Sequence, residues 1–312
     1  MATPLAQDQA ISPATQSGLR AAIRALARDA SIETSTRNLT DIDDYPGLRP
    51  PGSDVFIAWT PGTPYHHIAS VAKRLHGRGF NPVPHIAARQ VASHEALRDL
   101  VARLTEDGSV TRALVIGGDL PHPLGPFESS LAVLKTGVLE EHGIRSVGVA
   151  GYPDGHPRLK DLALWETLEA KIDLARRTGL DLFVVTQFCF DGATILAWLR
   201  RLRDRGIALP VRVGLAGPAK VSTLLAYARR CGIGSSIRAL GAHGISLPWL
   251  ITQRGPEDVV HALAAADSGA LGVEGLHLFP FSGFARSAAW ISNVAAGRFD
   301  LKPDGSAFSV PG

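Results

Sequence analysis

Val184-Val185-Thr186-Gln187-Phe188 is a short apolar run that stops on a polar side chain, and Val115-Ile116-Gly117-Gly118-Asp119 stops in the same way on two glycines and a carboxylate. A polar group held just past the end of a buried strand is how a barrel of parallel strands presents chemistry at one mouth. Working outward from these two runs, strand-like segments occur at Ser31–Ser35, Asp54–Thr60, Pro82–Ala88, Ala113–Gly118, Ser146–Gly151, Leu182–Gln187, Pro210–Gly217 and Gly275–Phe281. Apolar residues at helical spacing fill most of the gaps, at His66–His76, Ser93–Thr105, Glu128–Glu140, Lys160–Arg177, Ala193–Arg205 and Ala219–Cys231. Strands alternating with helices specify βαβ units and a parallel sheet. The eight-fold alternation, with no G-x-G-x-x-G turn, predicts an α/β protein built as a closed (β/α)8 TIM barrel rather than an open doubly wound sheet.

Three stretches depart from the rhythm. Leu19, Ala22, Ile23, Leu26 and Ala27 have helical spacing, so residues 1–30 read as an extension carrying an N-terminal helix. Asp41–Ser53, rich in Asp, Pro and Gly, reads as a loop where the first crossover helix would stand. Gly232–Gly272 adds helical patterns at Pro248–Gln253 and Pro256–Ala266 before the last strand, and its flanks lack linker composition. It reads as an insertion, and residues 1–312 as a single domain, a length at which such barrels fold as one unit.

Composition excludes several classes. The net charge of +3 is spread along the chain, and the basic pairs Arg200-Arg201 and Arg229-Arg230 lie inside helical patterns. No basic stripe with interleaved aromatics occurs, so nucleic acid is not an expected partner. Two cysteines, Cys189 and Cys231, are too few for a disulfide framework or a Cys-based zinc site and fit a reducing compartment. The chain has no cationic-then-apolar leader and no run near the roughly 18 apolar residues of a membrane span. It is therefore expected in the cytoplasm, away from membranes. His85 and His277 could each ligate a metal, but clustered ligand spacing is missing and no metal is expected.

The positions closing each strand are Glu33, Thr60, His85, Asp119, Tyr152, Gln187, Gly217 and the His277–Phe281 segment. Two carboxylates, a histidine, an amide and a tyrosine suffice for acid/base work and for holding a polar heterocycle. Bland alternatives stand beside them: Asp119 as a helix cap, Gln187 as a satisfied core amide, Cys189, Trp165 and Trp290 as packing.

Several of these segments resemble one family. Thr186-Gln187-Phe188-Cys189-Phe190-Asp191 resembles the T-Q-x-F strand end of the methylenetetrahydrofolate reductases, which are flavin-containing (β/α)8 barrels, and Tyr152-Pro153-Asp154-Gly155-His156-Pro157 resembles their Y-P-x-x-H-P segment. Gly117-Gly118-Asp119 stands where that family has R-G-D, Pro84-His85-Ile86 where it has P-H-[LI], and His277-Leu278-Phe279 where it has H-F-Y. Ile32-Glu33-Thr34-Ser35 is a reduced form of F-E-F-F-P-P. The order agrees from Glu33 to about Ile291, as in a short, divergent, bacterial-type member without a regulatory domain.

The resemblance implies roles. Glu33 would be the general acid that protonates the folate nitrogen leaving on ring opening, a task needing a carboxyl that keeps its proton near neutral pH. Asp119 would sit beside the flavin and the folate and tune the redox chemistry. Thr60, His85, Gly117, Gly118, Tyr152, His156 and Lys171 would line FAD, with His156 and Lys171 near its phosphates. Gln187 would bond the pterin and Phe279 would contact the substrate. The implied activity is an oxidoreductase of one-carbon metabolism and methionine biosynthesis, a flavoprotein exchanging hydride between NAD(P)H and a tetrahydrofolate derivative. NADH against NADPH, direction and homo-oligomer formation stay open. The rival is a folate- or flavin-binding barrel without turnover that acts as a partner subunit.

Overall fold

A computed structural model describes residues 13–36, 41–231, 251, 253–281 and 283–311. Eight parallel strands close a barrel: β1 (Ser31–Ser35), β2 (Asp54–Ala58), β3 (Asn81–Ala87), β4 (Arg112–Ile116), β5 (Ser146–Gly151), β6 (Asp181–Thr186), β7 (Val211–Ala216) and β10 (Val273–Phe279). β10 lies between β7 and β1 and completes the ring. The strands begin and end within about two residues of the sequence boundaries, because both ends are set by Gly, Pro and polar breaks.

Alternation along each strand sorts the side chains into two cores. Ile32, Val55, Ile57, Ile86, Val115, Val149, Val213 and Leu278 are fully buried and belong with helix residues such as Ile68, Leu97 and Ile195 to the outer core. Phe56, Val83, Leu114, Phe183 and Val185 form a separate cluster inside the barrel. Where β2, β4 and β7 begin, the inner wall turns ionic. Asp54 Oδ2 accepts from Arg112 at 2.7 Å and lies 3.2 Å from Arg212 Nη2, with the Arg112 guanidinium 4.8 Å from the Phe183 ring centroid.

The helices α2 (Tyr65–Gly77), α3 (His94–Glu106), α6 (Asp161–Thr178), α7 (Gly192–Asp204) and α8 (Val221–Cys231) follow the sequence pattern. The single helix expected over Glu128–Glu140 is broken into α4 (Ser130–Leu134) and α5 (Val138–Glu141). Gly137 between them has φ 73°, a left-handed conformation that a continuous helix cannot contain.

The expected loop at Asp41–Ser53 instead holds a 3-10 helix, Asp41–Gly47, which covers β1 where an α-helix is missing. Ile42 and Tyr45 seal the strand, the Tyr45 ring stacking on Phe284 and its hydroxyl lying 2.8 Å from Thr34 Oγ1. The N-terminal helix α1 (Pro13–Arg28) packs on β10, and Arg20 Nη1 donates to the carbonyls of Gly297 and Phe299.

Within the predicted insertion, Pro256–Ala266 is the helix α9 (Glu257–Ala265), while the expected helical stretch Pro248–Gln253 lies mostly outside the described residues and its last residue, Gln253, is in a strand. The short strands β8 (Ala219–Lys220) and β9 (Gln253–Arg254) pair antiparallel and clasp the two ends of the segment between them. Sequence reasoning missed α10 (Phe284–Ala295) and the hairpin β11 (Asp300–Leu301) and β12 (Phe308–Ser309). The buried stripe Phe284, Ala288, Ile291 and Val294 was the helical signal available for α10. Among the described residues no helix is long and apolar enough to cross a membrane.

Candidate active site

Because all eight strands run parallel, their C-terminal ends open at one mouth. Asp119, Tyr152 and Gln187 follow β4, β5 and β6 and therefore stand on this rim. Glu33 and His85 do not follow their strands as the sequence suggested. Each lies two residues before the strand's end, at an inward-facing position, and so sits deeper in the barrel.

Three groups converge in that deeper layer. Glu33 Oε2 lies 3.4 Å from His85 Nε2 and 3.9 Å from His277 Nε2, and the Glu33 side chain is only 18% exposed. Burial pushes the Glu33 pKa above the usual carboxylate range, with the nearby His85 pulling it back. Burial also holds both imidazoles below the usual histidine value, His277 down to about 3. The Phe56 ring meets His277 edge-on at a centroid distance of 4.5 Å. Both Nε2 atoms are buried without a hydrogen-bond partner among the described residues.

A second sector is built from the loops after β4 and β5. Tyr152 and His156 meet edge to face at 5.0 Å, and His156 Nδ1 accepts from the Arg158 backbone N–H at 3.1 Å. Burial pushes the Tyr152 hydroxyl up to about 12, helped by the negative charge of Asp119. His156 is held low by burial and by the cationic Arg158 and Arg89, with Asp119 acting in the opposite sense. Arg89 staples the Asp119 loop, its guanidinium donating to the carbonyls of Leu120, Pro121 and Glu128. Gly118 has φ 86°, and a Cβ there would come within 3.2 Å of Ala87 Cβ. Gly117 has open space around it. Sequence reasoning missed Arg89 and Arg158, since a lone arginine in a loop carries no pattern.

Gln187 anchors a third, aromatic sector. Its backbone N–H donates to Gly151 O at 2.8 Å, and its Oε1 accepts from the Phe188 N–H at 3.1 Å. Beside it, Thr186 Oγ1 takes the Gly214 N–H at 2.8 Å, and a Cβ on Gly214 would overlap the Thr186 carbonyl at 2.0 Å. Phe279 stands edge-on to His277 at 4.8 Å and to Phe188 at 5.7 Å, and Phe281 stacks on Tyr227 at 3.9 Å. Asp191, from the same motif, is the N-cap of α7 and accepts from the Ala193 N–H.

Two residues stand apart from these clusters. Thr60, just beyond β2, has a buried Oγ1 without a hydrogen-bond partner among the described residues. Lys171 is on the buried face of α6, ten residues past its first, which is about 15 Å along the helix. No contact among the described residues ties it to the Tyr152–His156 sector, although a helical side chain leans back toward the helix start and so toward the mouth. Burial lowers its amine to about 8.

Comparison with known proteins adds a decisive observation. A family model described as methylenetetrahydrofolate reductase matches residues 50–234. The chain belongs to the methylenetetrahydrofolate reductase family. Among family relatives, the chain is 32% identical over 146 residues to the 5,10-methylenetetrahydrofolate reductase of Pectobacterium carotovorum, covering 46% of this chain and 45% of that protein. It is 36% identical over 92 residues to methylenetetrahydrofolate reductase 2 of Saccharomyces cerevisiae, covering 28% of this chain and 14% of the yeast protein. The matched region thus spans less than half the length of either relative. Dihydropteroate synthase from Thermus thermophilus superposes with a TM-score of 0.45 at 16% identity, over 87% of this chain and 95% of that one.

Proposed function

We propose that this family member is a flavin-dependent oxidoreductase that interconverts 5,10-methylenetetrahydrofolate and 5-methyltetrahydrofolate, with NADH or NADPH as its other substrate in a ping-pong cycle. The observation that carries the reading is the Glu33 carboxyl. It is sequestered in the layer below the barrel's rim and kept above the usual carboxylate range, as an acid working near neutral pH requires.

The residues present suit FAD. The buried hydroxyl of Thr60 has no hydrogen-bond partner among the described residues, Gly118 has a left-handed backbone that favours glycine, and Arg89 and Arg158 bring positive charge beside His156. Bound FAD supplies hydride acceptance and donation, which no side chain offers. Around it, Thr60, His85, Gly117, Gly118 and Tyr152 line the cofactor, with His156 and Lys171 toward its phosphates. Asp119 brings a fixed negative charge. Gln187, its oxygen already engaged by the Phe188 N–H, presents amide hydrogens to the pterin. Phe279 gives the substrate an apolar wall. Glu33 delivers the proton to the folate nitrogen that departs as the five-membered ring opens.

The visible spectrum of the purified chain tests this reading. An absorption band at about 450 nm, where oxidised flavins absorb, should bleach on adding NADH or NADPH and also on adding 5-methyltetrahydrofolate. A flavin band that neither donor bleaches would mark a binding barrel without turnover. A colourless protein that fails to take up added FAD would end the reading.

A further inference from the structure

Ser31 and Glu33 are inward-facing neighbours on β1, and Ser31 stands in register with His277 on the adjoining β10. Ser31 Oγ lies 2.9 Å from His277 Nδ1 and donates to the Leu276 carbonyl at 3.4 Å. A hydroxyl has one proton to give. The carbonyl can only accept, so a Ser31 proton placed on it leaves the 2.9 Å contact with Nδ1 to a ring N–H. The buried imidazole is neutral, its pKa held at about 3, so it carries a single N–H. Nε2 is then a bare lone pair, without a partner among the described residues and 3.9 Å from Glu33 Oε2. A lone pair repels a carboxylate and accepts from a carboxyl O–H. A shift of about 1 Å at Oε2 brings the pair to hydrogen-bond length.

Resting on the reading of Glu33 as the acid, we propose that His277 is its positioning residue: Ser31 anchors the ring as the Nδ1–H form, and Nε2 accepts from the Glu33 carboxyl and holds its proton on the folate side. The groups around that carboxyl are Ser31 on its own strand, Phe56 on β2, His85 on β3 and His277 on β10. Asp54, Arg112 and Arg212 form the charged layer nearer the strand starts.

Removing the Ser31 hydroxyl takes away the acceptor for Nδ1–H, so the ring should move its proton to Nε2 and stabilise the ionised Glu33. In Ser31→Ala the pH above which the folate half-reaction declines should fall by about half to one pH unit, the size of one hydrogen bond. Ser31→Thr, which keeps the hydroxyl, should restore the wild-type profile. Flavin reduction by NAD(P)H should follow the wild-type pH curve in both. A limb that stays put or moves upward in Ser31→Ala overturns the proposal.

Nitrogen-15 spectra of histidine-labelled holoprotein, with His277 assigned by its loss in His277→Gln, should show Nε2 unprotonated at neutral pH. A protonated Nε2 also overturns it. These spectra need no turnover, so an inactive chain with a bare Nε2 would sink the enzymatic reading while leaving the Ser31–His277 anchor in place.

Discussion

The two ends of the barrel interior handle buried polarity in opposite ways. At the strand starts, Asp54 lies within 3.2 Å of both Arg112 and Arg212, and Arg112 also donates to Ser146 Oγ. Near the mouth, Glu33 lies 3.4 Å from His85 and 3.9 Å from His277, and the two imidazole nitrogens that face the carboxyl have no hydrogen-bond partner among the described residues. Buried polar groups are ordinarily satisfied, and leaving them unsatisfied lowers stability. The first cluster therefore holds the barrel closed, whereas the second keeps ionisable groups away from their usual pKa values, the condition that acid catalysis needs.

The largest effect should come from the closed end. Asp54→Ala leaves two largely buried guanidiniums facing one another and should cost about 3 kcal/mol, measured by urea unfolding. The pH profile of the surviving activity should keep its shape. A loss under about 1 kcal/mol, the range of an exposed pair, would erase the contrast between the two ends.

Glu33→Gln comes next. Folate turnover should fall by about 10²-fold or more, while stopped-flow reduction of the flavin by NAD(P)H stays near normal. Equal slowing of both half-reactions would make Glu33 structural, like the ionic cluster below it. Near-normal folate turnover would move the acid role to another residue, Asp119 first.

A smaller change is expected from Lys171→Ala, which should weaken FAD retention by about tenfold, as loss of one charge-assisted contact would. Equilibrium dialysis against free FAD measures it. Unchanged retention would leave the phosphates to the sector of His156, Arg158 and Arg89.

A further effect concerns pH and stability. His277 has a folded pKa near 3 against an ordinary value of 6.5, so the unfolded chain binds the extra proton first as pH falls. Its contribution to stability is complete above about pH 6.5 and is lost progressively toward pH 3, at no more than about 1.4 kcal/mol per pH unit. Glu33, raised by burial, works in the opposite direction above the ordinary carboxylate value. Urea midpoints at pH 4.5 and 6.5 should therefore differ less in His277→Gln than in the parent chain. The same difference in both would show that His277 titrates as it does in water.

The barrel was legible because each strand is a short apolar run closed by Gly, Pro or a polar residue, and that punctuation survives divergence. The 3-10 helix at Asp41–Gly47 was not, since Ile42 and Tyr45 are two apolar residues in a polar stretch and gain meaning only against β1 and Phe284. At the site, Asp119, Tyr152 and Gln187 could be found from strand ends. The depth of Glu33 and His85 could not, because depth depends on how strands stagger in the closed ring. Ser31 was readable in principle, two residues from Glu33 and so on the same face, but its partner His277 is 246 positions away. Sequence spacing carries no trace of such a pair.

The clasp between Ala219–Lys220 and Gln253–Arg254 fixes where the chain leaves the barrel after β7 and where it returns. Helix α8 follows the first of these strands directly, and its Tyr227 joins Phe188 and Phe281 in the aromatic sector. Closure entropy grows only slowly with loop length, about 0.6 kcal/mol for each doubling. A change in the number of residues between these two strands should therefore cost the barrel little.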